Sequence, residues 1–164
     1  MSLRPLAIDP HAALHRAAKP VDRFDAALRN VVRDMLSTMY AHDGVGLAAP
    51  QIGVPLQLFV LNPSLKIGRE LAVVNPLIED ARGEAAIVEG CLSLPEHWQK
   101  VARRATLRLR GLDPYGEPID LQADGLLAIV IQHEFDHLRG RLISDYAPVD
   151  APTRRSVAGS ARRS

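Results

Sequence analysis

The sequence predicts an α+β fold in which mostly antiparallel strands pack around one buried central helix. Two observations support this prediction. An amphipathic helical segment comes first and is followed by short apolar runs that Gly and Pro residues separate. A later segment, 125–138, is apolar on every side until it becomes polar at its end. Elements segregated in this way are typical of α+β domains, and a helix that is apolar all round is typical of a core position.

The first long element is a helix predicted over residues 23–41, with Asp22 as its N-cap. Glycine and proline residues between positions 44 and 55 then predict a segment without regular structure. Apolar side chains recur through the helix at the spacing of one face, namely Phe24, Leu28, Val31, Val32, Met35, Leu36 and Met39.

Five short strands are predicted between the two helices, over residues 56–61, 71–78, 85–88, 106–112 and 119–121. Asn75-Pro76 interrupts the second of them, which predicts a bend or an edge position, because proline cannot donate to a strand ladder. Leucine and arginine alternate between residues 106 and 112, as is typical of a half-solvated antiparallel strand. The turn at residues 113–116 brings the last strand back as its partner.

The second helix is the apolar segment, with Asp124 as its predicted N-cap and Gly140 at its predicted end. One domain is predicted over residues 1–147. Residues 148–164 lack hydrophobic periodicity and are rich in Pro, Ser, Ala and Arg, so they are predicted to form a flexible tail. The arginines of the tail could contact ribosomal RNA, but a solvated tail is the simpler interpretation.

Composition and charge exclude several classes of protein. Of the 164 residues, 47% are hydrophobic and 24% are charged, as in an ordinary globular domain. The net charge of +1 implies no broad basic surface for nucleic acid. No stretch approaches the ~20 apolar residues of a membrane span, and no secretory leader is expected. The single cysteine, Cys91, cannot form an internal disulfide, so a reducing, cytoplasmic location is expected.

The most informative motif is His133-Glu-Phe-Asp-His137, at the end of the apolar helix. Positions i and i+4 stack on one helix face, so the two imidazoles can bind the same ion. Glu134 lies about 100° around the helix, where it can act as a general base without being a ligand. H-E-x-x-H on a helix is typical of metallohydrolases. The alternative is a chance match with satisfied core histidines, and the burial of the helix counts against it.

Two other segments can complete such a site. Catalytic metal sites of this kind use three protein ligands, and Cys91 could project a thiolate inward, although a lone cysteine is more often a small buried hydrophobe. In the Gly-rich segment 44–53, the only polar side chain is that of Gln51. It could donate a hydrogen bond to a developing oxyanion or merely fix the loop, and the sequence favours neither.

Together, GVGLAAPQIG, EGCLSLP and HEFDH, in this order and at these separations, resemble the three signature motifs of the peptide deformylases. The resemblance runs from about residue 5 to residue 146 and is similar to the compact bacterial type. It implies a single catalytic domain that removes the N-terminal formyl group from formyl-methionine of newly made polypeptides and releases formate. Trp98 departs from the family pattern, which often has Arg or Tyr near the pocket rim, and could alter substrate preference.

The resemblance also implies a role for each residue of the site. Glu134 would be the acid/base, and Gln51 together with the backbone N–H of Leu92 would hold the oxyanion. The implied metal ligands are Cys91, His133 and His137. The backbone that would pair with the substrate peptide belongs to Gly46, Glu89 and Gly90. The side chains that would line the methionine pocket are those of Val45, Leu126, Ile129, Val130 and His133.

The implied cofactor is one divalent metal ion, with Fe(II) favoured in the cell and Zn(II), Ni(II) or Co(II) as alternatives, because a thiolate beside two imidazoles suits all of them. The implied partners are N-formylmethionyl peptides, with a transient contact to the ribosome. No membrane and no sequence-specific nucleic acid are expected, and the chain is expected to be a monomer. We also predict an ion pair between Asp43 and Arg103, whose opposite charges flank two loops of the site.

Three other functions compete with this one. An H-E-x-x-H peptidase would take its third ligand from downstream of the helix, where Asp145 is the only nearby carboxylate. A non-catalytic binding domain would be expected to lack Glu134 or a ligand, and the sequence retains all of them. A homologue that acts on a different formylated or acylated amine is left open by Trp98.

Overall fold

The computed structural model describes residues 2–149 and has the α+β architecture that the sequence predicts. Helix α1 spans Ala26–Ala41 and helix α2 spans Gly125–Leu138. Short 3-10 segments occupy Ala12–His15, Ala49–Ile52 and Ile143–Asp145. The strands are β1 (Gly46–Ala48), β2 (Leu58–Leu61), β3 (Leu71–Arg82), β4 (Ala85–Cys91), β5 (Leu94–Arg103), β6 (Thr106–Leu112) and β7 (Pro118–Asp124).

The strands form two antiparallel sheets. Five of them lie in the order β1-β2-β3-β6-β7, and β4 pairs with β5 in a separate hairpin. Each strand neighbour in both sheets is antiparallel. Strand β1 is therefore an edge of the larger sheet, and β4 has one edge that no strand of residues 2–149 covers.

The core lies on both faces of the five-stranded sheet. Phe59 and Leu61 of β2 belong to the cluster that contains Ile131 of α2. Leu58 and Val60 of the same strand belong to the cluster that contains α1. Because helices cover both faces, every side chain of β2 is buried, which is why the strand reads as a continuous apolar run. The catalytic motif is thus carried by a helix packed directly on the sheet.

Several boundaries differ from the prediction. Helix α1 begins at Ala26 and not at residue 23, because the carboxylate of Asp25 rather than Asp22 accepts the capping hydrogen bond, from the Leu28 N–H at 3.1 Å. Strands β1 and β5 were not predicted. Strand β3 does bend near Asn75, where its register with β6 shifts, but it lies inside the sheet, so the edge position was wrong.

The amide of Asn75 accounts for that bend. Asn75 has a φ of 50°, and its side chain bonds both the N–H and the carbonyl of Val21 at 2.8 Å. At the bulge, the side chain of Asn75 thus makes hydrogen bonds to a neighbouring backbone in place of the regular strand ladder. A proline next to it is tolerated because the ladder is already interrupted.

The predicted ends of α2 are confirmed in position. Asp124 is the N-cap residue, although its side chain makes no capping hydrogen bond. Gly140 has a φ of 70° just after the helix, and a Cβ there would lie 2.7 Å from the backbone of His15 and Arg16. Glycine is needed here for both its conformation and its size.

No helix within residues 2–149 is long and apolar enough to cross a membrane. All but the first two residues of the predicted tail, 148–164, lie outside the described residues.

Candidate metal centre and active site

The three predicted metal ligands meet at one point. His133 and His137 lie one turn apart on α2, with their Nε2 atoms 3.3 Å from each other. Cys91 ends strand β4, and its Sγ lies 3.4 Å from His137 Nε2. The donor atoms of all three residues fall within 4.8 Å of one another. A helix and a strand that are 42 residues apart in sequence (133 − 91) thus converge on one small volume.

The electrostatics of this cluster fit a bound cation. Although burial lowers it, hydrogen bonds with Cys91 and Glu89 raise the pKa of His133 to about 10. Burial and the charge of His133 hold the pKa of His137 well below its usual value. A metal ion that binds these donors would displace any proton that they carry. One thiolate and two imidazoles are a donor set that suits Fe(II), Zn(II), Ni(II) or Co(II).

Glu134 lies beside the ligands without being one of them. It is almost completely buried, and its Oε2 atom has no hydrogen-bond partner among the described residues. Burial raises the pKa of Glu134 to about 7, against the opposing charge of His133. A carboxyl group with a pKa near neutrality can both accept and return a proton at physiological pH.

Gln51 fixes its loop with one end of its amide and directs the other end toward the ligand cluster. Its Oε1 accepts the backbone N–H of Ala48 at 2.8 Å, which fixes the loop. Its Nε2 is directed toward the site, 3.2 Å from Ser93 Oγ and 3.7 Å from Cys91 Sγ. One end of the amide is thus anchored, while the donor end lies beside the ligand cluster.

A cavity of about 600 Å³ opens in front of the ligands. The predicted substrate-binding residues Val45, Gly46, Glu89, Gly90, Leu126, Ile129 and Val130 all line it, together with Leu92. Ile129 and Val130 are buried, whereas Leu126 at the mouth is 49% exposed.

Gly46 is required by the close approach of α2 to β1. A Cβ at this position would collide with the carboxylate of Glu134. The free edges of β1 and β4 both contribute to the cavity, through Gly46 and through Glu89-Gly90. The backbone groups of these edges have no strand partner there within residues 2–149, which is the usual condition for binding an extended peptide.

One predicted ion pair is wrong, and the carboxylate that a rival peptidase would need as a ligand is engaged elsewhere. Arg103 does not pair with Asp43; it is buried and forms ion pairs with Glu89 and Asp136, whereas Asp43 is exposed. Asp145 is no metal ligand, because its carboxylate accepts the backbone N–H of Leu142 at 2.8 Å. The third ligand of a downstream-type peptidase is therefore missing from its expected place.

A family model for polypeptide deformylases matches residues 3–152. The chain belongs to this family. Members remove the N-terminal formyl group from newly made polypeptides, and they are metal-dependent hydrolases. The rival functions of an H-E-x-x-H peptidase and of a binding domain without activity are thereby set aside.

Solved structures of deformylases are similar along most of the chain. The enzyme from Legionella pneumophila is 41% identical, and the match covers 88% of this chain and 85% of the Legionella chain, with a TM-score of 0.86. The enzyme from Thermotoga maritima is 35% identical over 92% of this chain and 100% of its own, also with a TM-score of 0.86. The enzyme from Synechococcus elongatus, solved in complex with actinonin, is 42% identical over 91% and 80%, with a TM-score of 0.83.

The side chain of Glu89 is the feature of this deformylase site that the sequence analysis missed. It was assigned to substrate binding through its backbone, yet its carboxylate accepts a hydrogen bond from His133 Nδ1 at 2.8 Å and an ion pair from Arg103. Hydrogen bonds from Arg103 and His133 hold the pKa of Glu89 low, against the effect of burial. The signal in the sequence was an acidic residue two positions before Cys91.

Proposed function

We propose that this chain deformylates N-formylmethionyl peptides with Cys91, His133 and His137 as metal ligands and Glu134 as the acid/base. The observation that carries this proposal is the convergence of three donor atoms within 4.8 Å beside a buried carboxylate with an unpartnered oxygen. When bound, a divalent ion lowers the pKa of a water molecule to about 7 and so supplies a nucleophile.

Glu134 is the proton carrier of the proposed reaction. It accepts a proton from the attacking water as the C–O bond forms at the formyl carbon. It then delivers that proton to the amine nitrogen as the C–N bond breaks, which leaves formate and a free N-terminus. Its pKa of about 7 supports both steps, because neither protonation state is strongly disfavoured at neutral pH.

Gln51 and the backbone N–H of Leu92 hold the negative charge that develops on the formyl oxygen. The fixed orientation of the Gln51 amide supports this role, because its oxygen is already bonded to Ala48 and its nitrogen lies beside Cys91. One such donor contributes about 3 kcal/mol to stabilisation of the transition state.

The peptide part of the substrate lies between β1 and β4. Its backbone bonds to the free edges at Gly46 and at Glu89-Gly90, as an added strand. The methionine side chain enters the apolar part of the cavity, which is lined by Val45, Leu126, Ile129 and Val130. A flexible thioether suits such a pocket.

The resident metal in the cell is proposed to be Fe(II), with Zn(II), Ni(II) and Co(II) able to occupy the same ligands. A thiolate ligand supports a reducing compartment, and hence the cytoplasm. Transient contact with the ribosome and a monomeric state complete the proposal.

Kinetics on matched substrates test this function. We expect formyl-Met-Ala to be hydrolysed with a far higher kcat/KM than acetyl-Met-Ala, because the acetyl methyl group replaces the small formyl hydrogen. Formyl-norleucine-Ala should be nearly as good as formyl-Met-Ala, and formyl-Ala-Ala poor, since each buried methylene contributes only about 0.8 kcal/mol. Metal analysis of the same sample should give about one divalent ion per chain.

Comparable kcat/KM values for the formyl and acetyl peptides would favour a broader amidohydrolase. A metal content well below half an equivalent in anaerobically purified protein would argue against the proposed ligand set.

A further inference from the structure

The Nδ1 nitrogen of His133 is hydrogen-bonded to a carboxylate on the side of the ring that faces away from the other candidate ligands. Its Nδ1 donates to Glu89 Oε2 at 2.8 Å, while its Nε2 faces His137. An imidazole ring can rotate about its last side-chain bond, so the bond at Nδ1 decides where Nε2 points. The direction of this ligand is therefore set by the carboxylate of Glu89.

Glu89 is held in turn by Arg103. The guanidinium donates from Nε to Oε1 and from Nη2 to Oε2, both at 2.8 Å. The two side chains are only 5% and 2% exposed. A paired fork of this kind fixes the plane of the carboxylate as well as its position.

The remaining side of Arg103 leads out of the site to Tyr146. Arg103 Nη1 donates to Asp136 Oδ2 at 2.6 Å, and the hydroxyl of Tyr146 donates to the same oxygen at 2.7 Å. Arg103 Nη1 also donates directly to the Tyr146 hydroxyl oxygen, over a much longer 3.4 Å. Asp136 lies on α2 between the two histidines of the motif. The path Tyr146–Asp136–Arg103–Glu89–His133 thus begins in the segment after α2 and ends at a metal ligand.

Tyr146 is itself fixed on several sides. Its ring lies under the guanidinium groups of Arg141, at 3.8 Å from the ring centroid, and of Arg103, at 5.0 Å. Its carbonyl oxygen accepts from Gln99 Nε2 at 2.7 Å. Burial and the contact with Asp136 raise the pKa of its hydroxyl to about 12, so the hydroxyl remains a donor. Tyr146 does not line the cavity, which excludes direct contact with the substrate there.

We propose that Tyr146 is a positioning residue for the metal ligand His133, acting through Asp136, Arg103 and Glu89. This inference rests on the ligand set proposed above. Without the Tyr146 hydroxyl, Asp136 loses one of its two donors and Arg103 gains freedom to shift. At the metal, the expected effect is a less firmly oriented imidazole of His133. Changes in the partners of metal ligands commonly lower metal affinity by about 10- to 100-fold, and a more distant group should have a smaller effect.

The test uses the full chain loaded with Co(II), because the visible bands of thiolate-bound cobalt report on ligand geometry without any turnover. Tyr146→Phe removes the hydroxyl and keeps the ring between the two arginines. We expect shifted cobalt bands and a rate of cobalt loss to a chelator that is raised by about three- to tenfold. The matched control is Tyr40→Phe, which removes a hydroxyl that donates to Glu70 at 2.9 Å outside this path. It should leave both the bands and the rate unchanged.

Asp136→Asn interrupts the same path one step further in and decides the matter if the Tyr146 variant does not fold. It should shift the cobalt bands as well, and adding Tyr146→Phe to it should have little further effect. Unchanged bands and cobalt-loss rate in Tyr146→Phe, with only a lower Tm, would overturn the inference and reduce Tyr146 to an anchor of the chain. If the parent chain shows no thiolate–cobalt bands, the ligand set fails and this inference fails with it.

Discussion

The floor of the site (Glu89, Cys91, Arg103, His133, Glu134 and His137) and the rim of its cavity (Val88, Trp98 and Leu126) differ in how their side chains are held. On the floor, Glu89 is fixed by three hydrogen bonds of 2.8 Å, two from Arg103 and one from His133. On the rim, Trp98 is 71% exposed and Leu126 49% exposed. The floor must present its donors in one geometry, whereas the rim must accept many peptide sequences. The comparison teaches that fixed side-chain geometry extends from the candidate metal ligands to the groups behind them, and that it does not extend to the rim.

That rigidity has an energetic cost. Buried ion pairs such as Arg103–Glu89 rarely stabilise a fold more than apolar residues of the same shape would. We therefore expect Arg103 to contribute mainly by fixing geometry. Its removal would still be costly, because it would leave two carboxylates without their cation. The rim carries no such constraint, because water can solvate whatever a substrate does not cover. Four experiments test this contrast.

The largest effect is expected from the proton carrier on the floor. Glu134→Gln should lower kcat by roughly 10²- to 10⁴-fold while the metal content stays near that of the parent chain, because Glu134 is not a ligand. Glu96→Gln, which changes an exposed carboxylate at the cavity, is the control and should have almost no effect on kcat. Loss of metal in Glu134→Gln, or retained activity, would contradict the assigned role.

The second largest effect is expected from removal of Arg103, and it concerns the free energy of unfolding. Arg103→Ala leaves the buried Glu89 and the partly buried Asp136 without their cation, and it should lower the free energy of unfolding by about 3–5 kcal/mol. Arg108→Ala breaks an ion pair of the same 2.6 Å length, with Asp120, but on the exposed face of β6, so it should cost less than about 1 kcal/mol. The two variants can be compared by denaturant unfolding. Equal losses would show that burial does not distinguish the two pairs.

The metal-free chain should show the pH dependence of a buried carboxyl group. The pKa of Glu134 is about 7 in the folded protein and lies above its usual value of 4.5. Its contribution to stability is therefore complete below pH 4.5 and is lost as the pH rises through 7. The expected loss is at most about 3 kcal/mol relative to Glu134→Gln. Chelator-treated samples of both proteins, unfolded at a series of pH values, would contradict this if their profiles run parallel.

The smallest effect is expected at the rim. The indole of Trp98 packs on Gly90, where a Cβ would come within 2.6 Å of the ring, and so it flanks the strand edge to which the peptide is proposed to add. Trp98→Ala should raise KM less than about tenfold for formyl-Met tripeptides and leave kcat unchanged, because only part of an apolar ring is lost. Tyr115→Ala removes an equally exposed aromatic ring that does not line the cavity and should have no effect. A large fall in kcat for Trp98→Ala would mean that the rim shares the rigidity of the floor.

Much of the site could be predicted from the sequence because its key signals are local. The i/i+4 spacing of His133 and His137, and the position of Glu134 between them, follow from the helical repeat alone. The helix itself was predictable from its apolar composition, and Gly140 from the need for a left-handed residue at its end. Cys91 was predicted as the third ligand through the resemblance to the deformylase motifs, and the chain has no other cysteine.

Other features depend on partners that are distant in the chain. Strand β5 has little apolar alternation, and it is a strand because it pairs with β4. The partner of Arg103 was predicted as Asp43 on the basis of charge, but charge alone cannot rank several carboxylates. In the folded chain Arg103, at the end of β5, lies beside Glu89 of β4 and Asp136 of α2.

The sequence by itself thus determined the fold class, the two helices and the candidate metal ligands, because each follows from a local pattern or from the count of one residue type. Only the tertiary structure decided the order of the strands, the inner position of β3 and the network behind His133. These features depend on which surfaces meet once the chain has folded. A charged side chain such as that of Arg103 interacts strongly with a given carboxylate only when burial excludes the competing water.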